Sequence, residues 1–173
     1  TLAAAAQGQS GERTVSEATT YSRSPGKSDL RRGAIGGHGT LEWRPGPEGY
    51  EMSIEGQVFG ISVLSWRSRG GFDAAGLAPQ RFVDSRRGRD VRAANFQREK
   101  GLITFSGPPI QYPLVPGAQD RLSWMVQLPA IIAAAPAAFP PGARIPLFVA
   151  GARGDADLWF FTAEGIETVD IVG

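Results

Sequence analysis

The 173 residues carry 18 basic and 17 acidic side chains, a net charge of +1, and 42% hydrophobic residues. A chain of that length and composition buries the core of one globular domain. Its balanced charge supplies no field for nucleic acid, and the absence of cysteine excludes thiolate nucleophiles, zinc–thiolate sites and disulfides.

Residues 1–13 are small and polar and read as a flexible leader, without the charged region and apolar core of an intact signal peptide. Residues 14–173 read as a single β-rich domain. No stretch approaches the ~20 apolar residues that span a bilayer. A threonine-rich run from Thr14 to Tyr21 suits a first strand, Gly33–Gly39 a flexible connection, and Thr40–Arg44 a short strand closed by Pro45-Gly46-Pro47. In Tyr50–Glu55 apolar and polar residues alternate, which places one face inside and one in water. Val58–Trp66 is apolar in both alternating sets and predicts a strand covered on both faces. Further strands are expected over 72–77, 81–84, 91–97, 102–105, 145–150, 158–162 and 166–169. Turn residues separate most of them at roughly ten-residue spacing, the rhythm of an antiparallel meander.

Residues 118–135 interrupt that rhythm. Leu122, Met125, Val126, Pro129, Ile132 and Ala133 fall on one face of a helix, with Asp120 as its N-cap and Pro136 and Pro140-Pro141 beyond its end. Pro129 predicts a kink or break, because it cannot donate to the carbonyl of Met125.

The chemistry-bearing motifs are sparse. Gly33–Gly39 lacks the strand-before, helix-after setting of a phosphate loop. His38 is the only histidine, so no histidine metal set exists, and no nucleophile elbow accompanies it. Asp155 and Asp157 are too few for a calcium loop and suit a hairpin turn, and Arg153-Gly154-Asp155 is a tripeptide that recurs by chance. Arg86-Arg87-Gly88-Arg89 has no interleaved aromatics and reads as a solvated hairpin tip. No metal, cofactor or catalytic residue is expected.

Two segments combine special backbone residues with charge and aromatics: Gly76-Leu77-Ala78-Pro79-Gln80-Arg81-Phe82 and Gly117–Trp124. With Gly39–Trp43, Tyr50-Glu51-Met52, Gln119-Asp120-Arg121-Leu122-Ser123 and Pro141-Gly142, they resemble the DUF3108 family of uncharacterised exported proteobacterial proteins, over about Thr14 to Gly173. The resemblance marks Gly76, Leu77, Pro79, Arg81, Gln119, Asp120, Arg121, Leu122 and Ser123. It implies a periplasmic envelope location, a β-rich fold, no established activity, and further C-terminal strands that this sequence lacks. No role for the marked residues follows from it.

The expected fold is mainly β: a curved antiparallel sheet, a half-barrel or open sandwich, with a covering helix near 118–135 on its concave side. The expected function is non-enzymatic, the binding of an apolar or amphipathic envelope molecule between sheet and helix. Trp43, Tyr50, Trp66, Phe82, Phe105, Trp124 and Met125 are its candidate lining, each also suited to ordinary core. The alternative is a scaffold that recruits a protein partner through an exposed sheet edge.

Overall fold

The computed structural model describes residues 37–59, 61–86 and 90–164. The expected leader, the strand at 14–21, residues 33–36 of the glycine connection, Arg87–Arg89 and the strand at 166–169 lie outside the described residues.

Alternation and tight turns build the first and larger unit. Seven strands follow one another in chain order: β1 (Gly37–Pro45), β2 (Tyr50–Val58), β3 (Ile61–Asp73), β4 (Gly76–Arg86), β5 (Asp90–Gln97), β6 (Leu102–Phe105) and β7 (Gln111–Pro113). Each pairs antiparallel with the next, and the sheet is open rather than closed into a barrel. Tyr50, Met52 and Ile54 of β2 share a side with Trp66 and Ser68 of β3, Phe82 and Asp84 of β4, and Ala94 of β5. The other side presents Glu51, Ser53 and Glu55 beside Arg67, Arg69 and Arg81.

A second, three-stranded sheet has the order β10–β9–β8, formed by β8 (Gln119–Asp120), β9 (Arg144–Ala150) and β10 (Ala156–Thr162). Its β8–β9 pair is parallel. Between β8 and β9 runs the helix α1 (Trp124–Ala134). The core forms where the units meet: Tyr50, Met52, Phe82, Phe96 and Ile103 pack with Ala118, Leu122 and Ala150.

Three expectations need correction. The strand predicted over 58–66 is two strands, because β2 ends at Val58 and β3 begins at Ile61. Phe59 takes a left-handed φ of 51° and is 81% exposed, and Ile61 is 67% exposed. Apolar residues at a hairpin tip thus imitated a doubly covered strand. The segment 72–77 is also a hairpin: Asp73 Oδ1 accepts a hydrogen bond from Ala75 N–H at 2.8 Å, and Gly76 opens β4 at φ 110°. Gly37-His38-Gly39, expected in a connection, begins β1.

The helix differs from expectation at its start and in its buried face. Residues 118–123 supply β8 and a turn, so α1 begins only at Trp124, and it runs through Pro129 unbroken. Met125, Pro129 and Ala133, expected inside, are exposed. The residue it buries is Gln127, 1% exposed. A buried polar group needs partners, so this helix is oriented by hydrogen bonds rather than by an apolar stripe.

Pro79 stands inside β4, where it cannot donate to a ladder. A β-bulge accommodates it: Gly70 pairs with Pro79 and Arg69 with Arg81, leaving Gln80 unmatched. A Cβ on Gly70 would collide with the Ala78 carbonyl and Pro79, so the close approach requires glycine there.

Candidate functional site

Two places on the sheet carry polar side chains in unusual arrangements, one buried and one open. The buried place joins the two marked sequence segments, which lie some forty residues apart in the chain. Leu77 donates its N–H to Gln127 Oε1 at 2.8 Å and accepts at its carbonyl from Gln119 Nε2, also at 2.8 Å. Gln127 Nε2 also donates to the Ala75 carbonyl at 2.7 Å. The β3–β4 turn is therefore clasped by two glutamines, one from β8 and one from α1. A Cβ on Gly76 would lie 2.5 Å from Gln127 Oε1, which restricts that position to glycine independently of its φ.

Beside the clasp, Asp120 is fully buried. Its Oδ1 accepts from Leu122 N–H and Ser123 N–H, both at 2.8 Å, and its Oδ2 accepts from Ser68 Oγ at 2.5 Å. Asp120 N–H in turn donates to Ser123 Oγ at 2.9 Å, so the pair forms a reciprocal capping box around the turn before α1. The residue flanking the helix is Ser123, one turn later than the cap expected from the sequence. Ser68 Oγ lies 3.2 Å from Tyr50 Oη, extending the chain of polar contacts from α1 through β3 to β2. Burial pushes the Asp120 carboxyl up to about 6, against the opposing pull of the Ser68, Ser123 and Leu122 donors. Burial, and then the Asp120 charge, push the Tyr50 phenol up as well. Arg121 turns away from Asp120 and pairs with Asp155 at 2.6 Å.

The remaining marked residues are placed variously. Leu122 is fully buried in the core, and the Pro79 carbonyl accepts from Arg98 at 3.2 Å. Arg81 alone faces the other side, donating to Asn95 Oδ1 of β5.

The proposed apolar lining divides differently. Tyr50 and Phe82 are core residues, 3% and 0% exposed, and Trp43, Trp66 and Phe105 pack half-buried against them. Trp43 stacks on Tyr50, and Trp66 meets Phe82 edge-on. Trp124 belongs to a separate aromatic group with Trp159 and Phe161 of β10, and Met125 is exposed. Five of the seven thus sit in or against one core cluster, and Trp124 and Met125 lie outside it; sheet and helix meet through the glutamine clasp and the Asp120 contacts.

The open place is a groove of about 690 Å³ on the polar side of the large sheet. Ser53, Glu55, Arg67, Arg69, Arg81 and Val83 are among its walls. Arg69 stands directly across from Arg81 on β4 and from Glu51 on β2. Arg67 pairs with Glu55 at 3.3 Å, and Arg44 at the rim with Glu42 at 2.8 Å. Arg69 has no acidic partner within 4.0 Å among the described residues, Glu51 included. Directly opposed like charges destabilise a sheet, so this arrangement is not what packing alone would select. Of these arginines only Arg81 stood out in the sequence; Arg67 and Arg69 did not. Their two-residue spacing signals a common strand face, but the groove requires three strands to be in register.

Asp155 and Asp157 fall at the β9–β10 hairpin, as expected, with Gly151 N–H donating to the Asp155 carbonyl. No group of three or more metal-ligating side chains is placed together among the described residues. No helix among them is long and apolar enough to cross a membrane.

These features define an open antiparallel β-sheet, packed on one face by a small mixed sheet and one helix and grooved on the other. No protein-family model matches the chain, and no curated protein or solved structure matches it.

Proposed function

We propose that the chain is a non-enzymatic binding module of the bacterial envelope that holds an amphipathic molecule in the groove of the large sheet. The observation that carries this reading is the groove's mixed floor. Arg67, Arg69 and Arg81 line it together with Val83, which continues the same side of the sheet toward Val91, 53% exposed. Arginine stems add apolar surface beneath charged heads, so a ligand with a polar head and an apolar body meets matching chemistry along the face. The placement differs from the sheet–helix interface expected from the sequence, because that interface is filled by core side chains and buried hydrogen bonds.

Membership of the DUF3108 family and a periplasmic location belong to the same proposal. The junction supports it: residues marked by the resemblance in two distant segments meet there, at Leu77 and Gln119. The test is uptake of an NBD-labelled dodecanoate, read by its fluorescence gain. Val83→Asp should abolish the gain while leaving the circular dichroism spectrum unchanged. A wild-type protein that never takes up the probe would overturn the proposal.

A second reading, a scaffold that recruits a protein by strand addition, draws on β10. It is the outer strand of the small sheet among the described residues, and its Leu158 and Phe160 are 53% and 51% exposed.

A further inference from the structure

We infer that Arg69 and Arg81, with Arg67 beside them, form an oxyanion site that takes the carboxylate or phosphate head of the groove's ligand. The inference rests on the groove reading above and adds the chemistry of the head group.

Arg69 and Arg81 are direct cross-strand partners, so their Cβ atoms lie about 4.5–5.5 Å apart on one face. Arg67 follows two residues along the same strand and faces the same groove. Like-charged side chains rooted directly opposite each other disfavour the pairing unless something negative lies within reach of both. The neighbouring carboxylates do not fill that role. Glu55 is engaged by Arg67, Glu42 is engaged by Arg44, and Glu51 makes no ion pair although it stands opposite Arg69.

Asn95 then shows how Arg81 is used. It accepts a hydrogen bond from Arg81 Nη1 through a neutral amide oxygen, so it fixes the guanidinium without cancelling its charge. Arg81 is half-buried and thus held, whereas Arg69 is exposed and free to adjust. A planar fork held in place beside a mobile one suits bidentate capture of an oxyanion. Among the groove-lining residues, four arginines stand against three glutamates. That excess of one positive charge matches a singly charged head, a carboxylate or a phosphate monoanion or diester, better than a polyanion. Ser53 lines the same wall and offers a hydroxyl donor. The groove is open, so salt will screen the attraction.

The experiment compares four probes by isothermal titration, with amphiphiles below their micellar concentration: dodecanoate, dodecyl phosphate, the neutral dodecyl maltoside, and inorganic phosphate alone. Both anionic amphiphiles should bind at least about tenfold more tightly than the neutral one, the scale expected for hydrogen bonds to charged groups. The ratio of dodecanoate to dodecyl phosphate tells which oxyanion the site prefers. Raising salt from low to physiological strength should shrink the preference over the neutral probe, and Arg69→Gln with Arg81→Gln should remove it. Arg69 is exposed, and Arg81→Gln gives up the bond to Asn95 while relieving the like-charge contact, so a thermal midpoint close to the wild-type value will show that the fold persists. If wild-type protein binds neutral and anionic amphiphiles equally, the oxyanion site is wrong and the groove reading stands. If inorganic phosphate binds in an arginine-dependent way but no amphiphile does, the oxyanion site stands and the amphipathic ligand is wrong. If no probe binds, both are wrong.

Discussion

The two faces of the large sheet handle polar groups in opposite ways. On the inner face, the clasping amide groups of Gln127, the backbone groups of Leu77 and the carboxylate oxygens of Asp120 each have a short, directed partner. On the outer face, Arg69 stands between Arg81 and Glu51 and makes no ion pair within 4.0 Å among the described residues. Burial explains the contrast. An unpaired polar group away from water carries the full cost of its desolvation, so most polar groups of the inner face are satisfied, although Trp66 Nε1 and Gln119 Oε1 are left unpaired among the described residues. Water tolerates the outer arrangement, and a sheet surface free to choose would not place two guanidinium groups opposite each other. The inner polar groups hold the architecture together, and the outer ones are available to a ligand.

If that division is right, the inner face should dominate stability. Gln127→Leu would leave the buried Leu77 N–H without a partner and break the part-buried bond to the Ala75 carbonyl, and should cost roughly 2–4 kcal/mol in urea melts. A loss under about 1 kcal/mol would mean that the clasp is incidental.

Next in size is a pH effect. Asp120 has its carboxyl raised from 3.8 to about 6 in the folded chain. Between those values the folded state binds more protons than the unfolded one, so stability falls as pH rises through that window. The decline from this one group is up to about 3 kcal/mol and is complete above about pH 6. Asp120→Asn should flatten it while keeping the cap, because the amide oxygen can accept from Leu122 and Ser123. Melts at a series of pH values on both proteins test this, and an unchanged slope in the variant would place the titration elsewhere. With no arginine partner at Asp120 among the described residues, Asn should not show the large loss expected of a broken buried ion pair.

Gly76→Ala should cost about 1–3 kcal/mol, from the left-handed backbone and the contact with Gln127 together. In the double variant with Gln127→Ala the contact is gone, and any loss that persists measures backbone strain alone.

The outer face should respond least. Arg69→Gln is expected to change stability by no more than about 0.5 kcal/mol, toward stabilisation. A larger loss would show that Arg69 has a structural role and would erase the contrast between the faces. Chelator should have no effect at all on the melt, since no cluster of metal-ligating side chains exists among the described residues.

Local pattern determined a good part of this protein. The two-residue alternation of Tyr50–Glu55, the turn spacing, and the single helical interruption are properties of neighbours in sequence, and each survives as β2, the meander and α1. The sequence also marked Gly76-Leu77 and Gln119-Asp120 as unusual, without saying that they touch. Local pattern misled where apolar residues lie at turns, as at Phe59 and Ile61, because hydrophobicity reports burial only on average. It misled again at α1. The apolar stripe placed Met125 and Pro129 inward, but Gln127 has two hydrogen-bonding groups waiting at the β3–β4 turn, the Leu77 N–H and the Ala75 carbonyl, and those directed bonds turned the helix. Only the tertiary structure decided which side chains meet: Ser68 with Asp120, Leu77 with two glutamines, Arg69 with Arg81. Such pairings depend on strand register and on bulges such as that at Gln80, which moves every later residue of β4 by one place against β3. A one-residue shift is invisible in composition and periodicity, yet it determines which charges stand face to face.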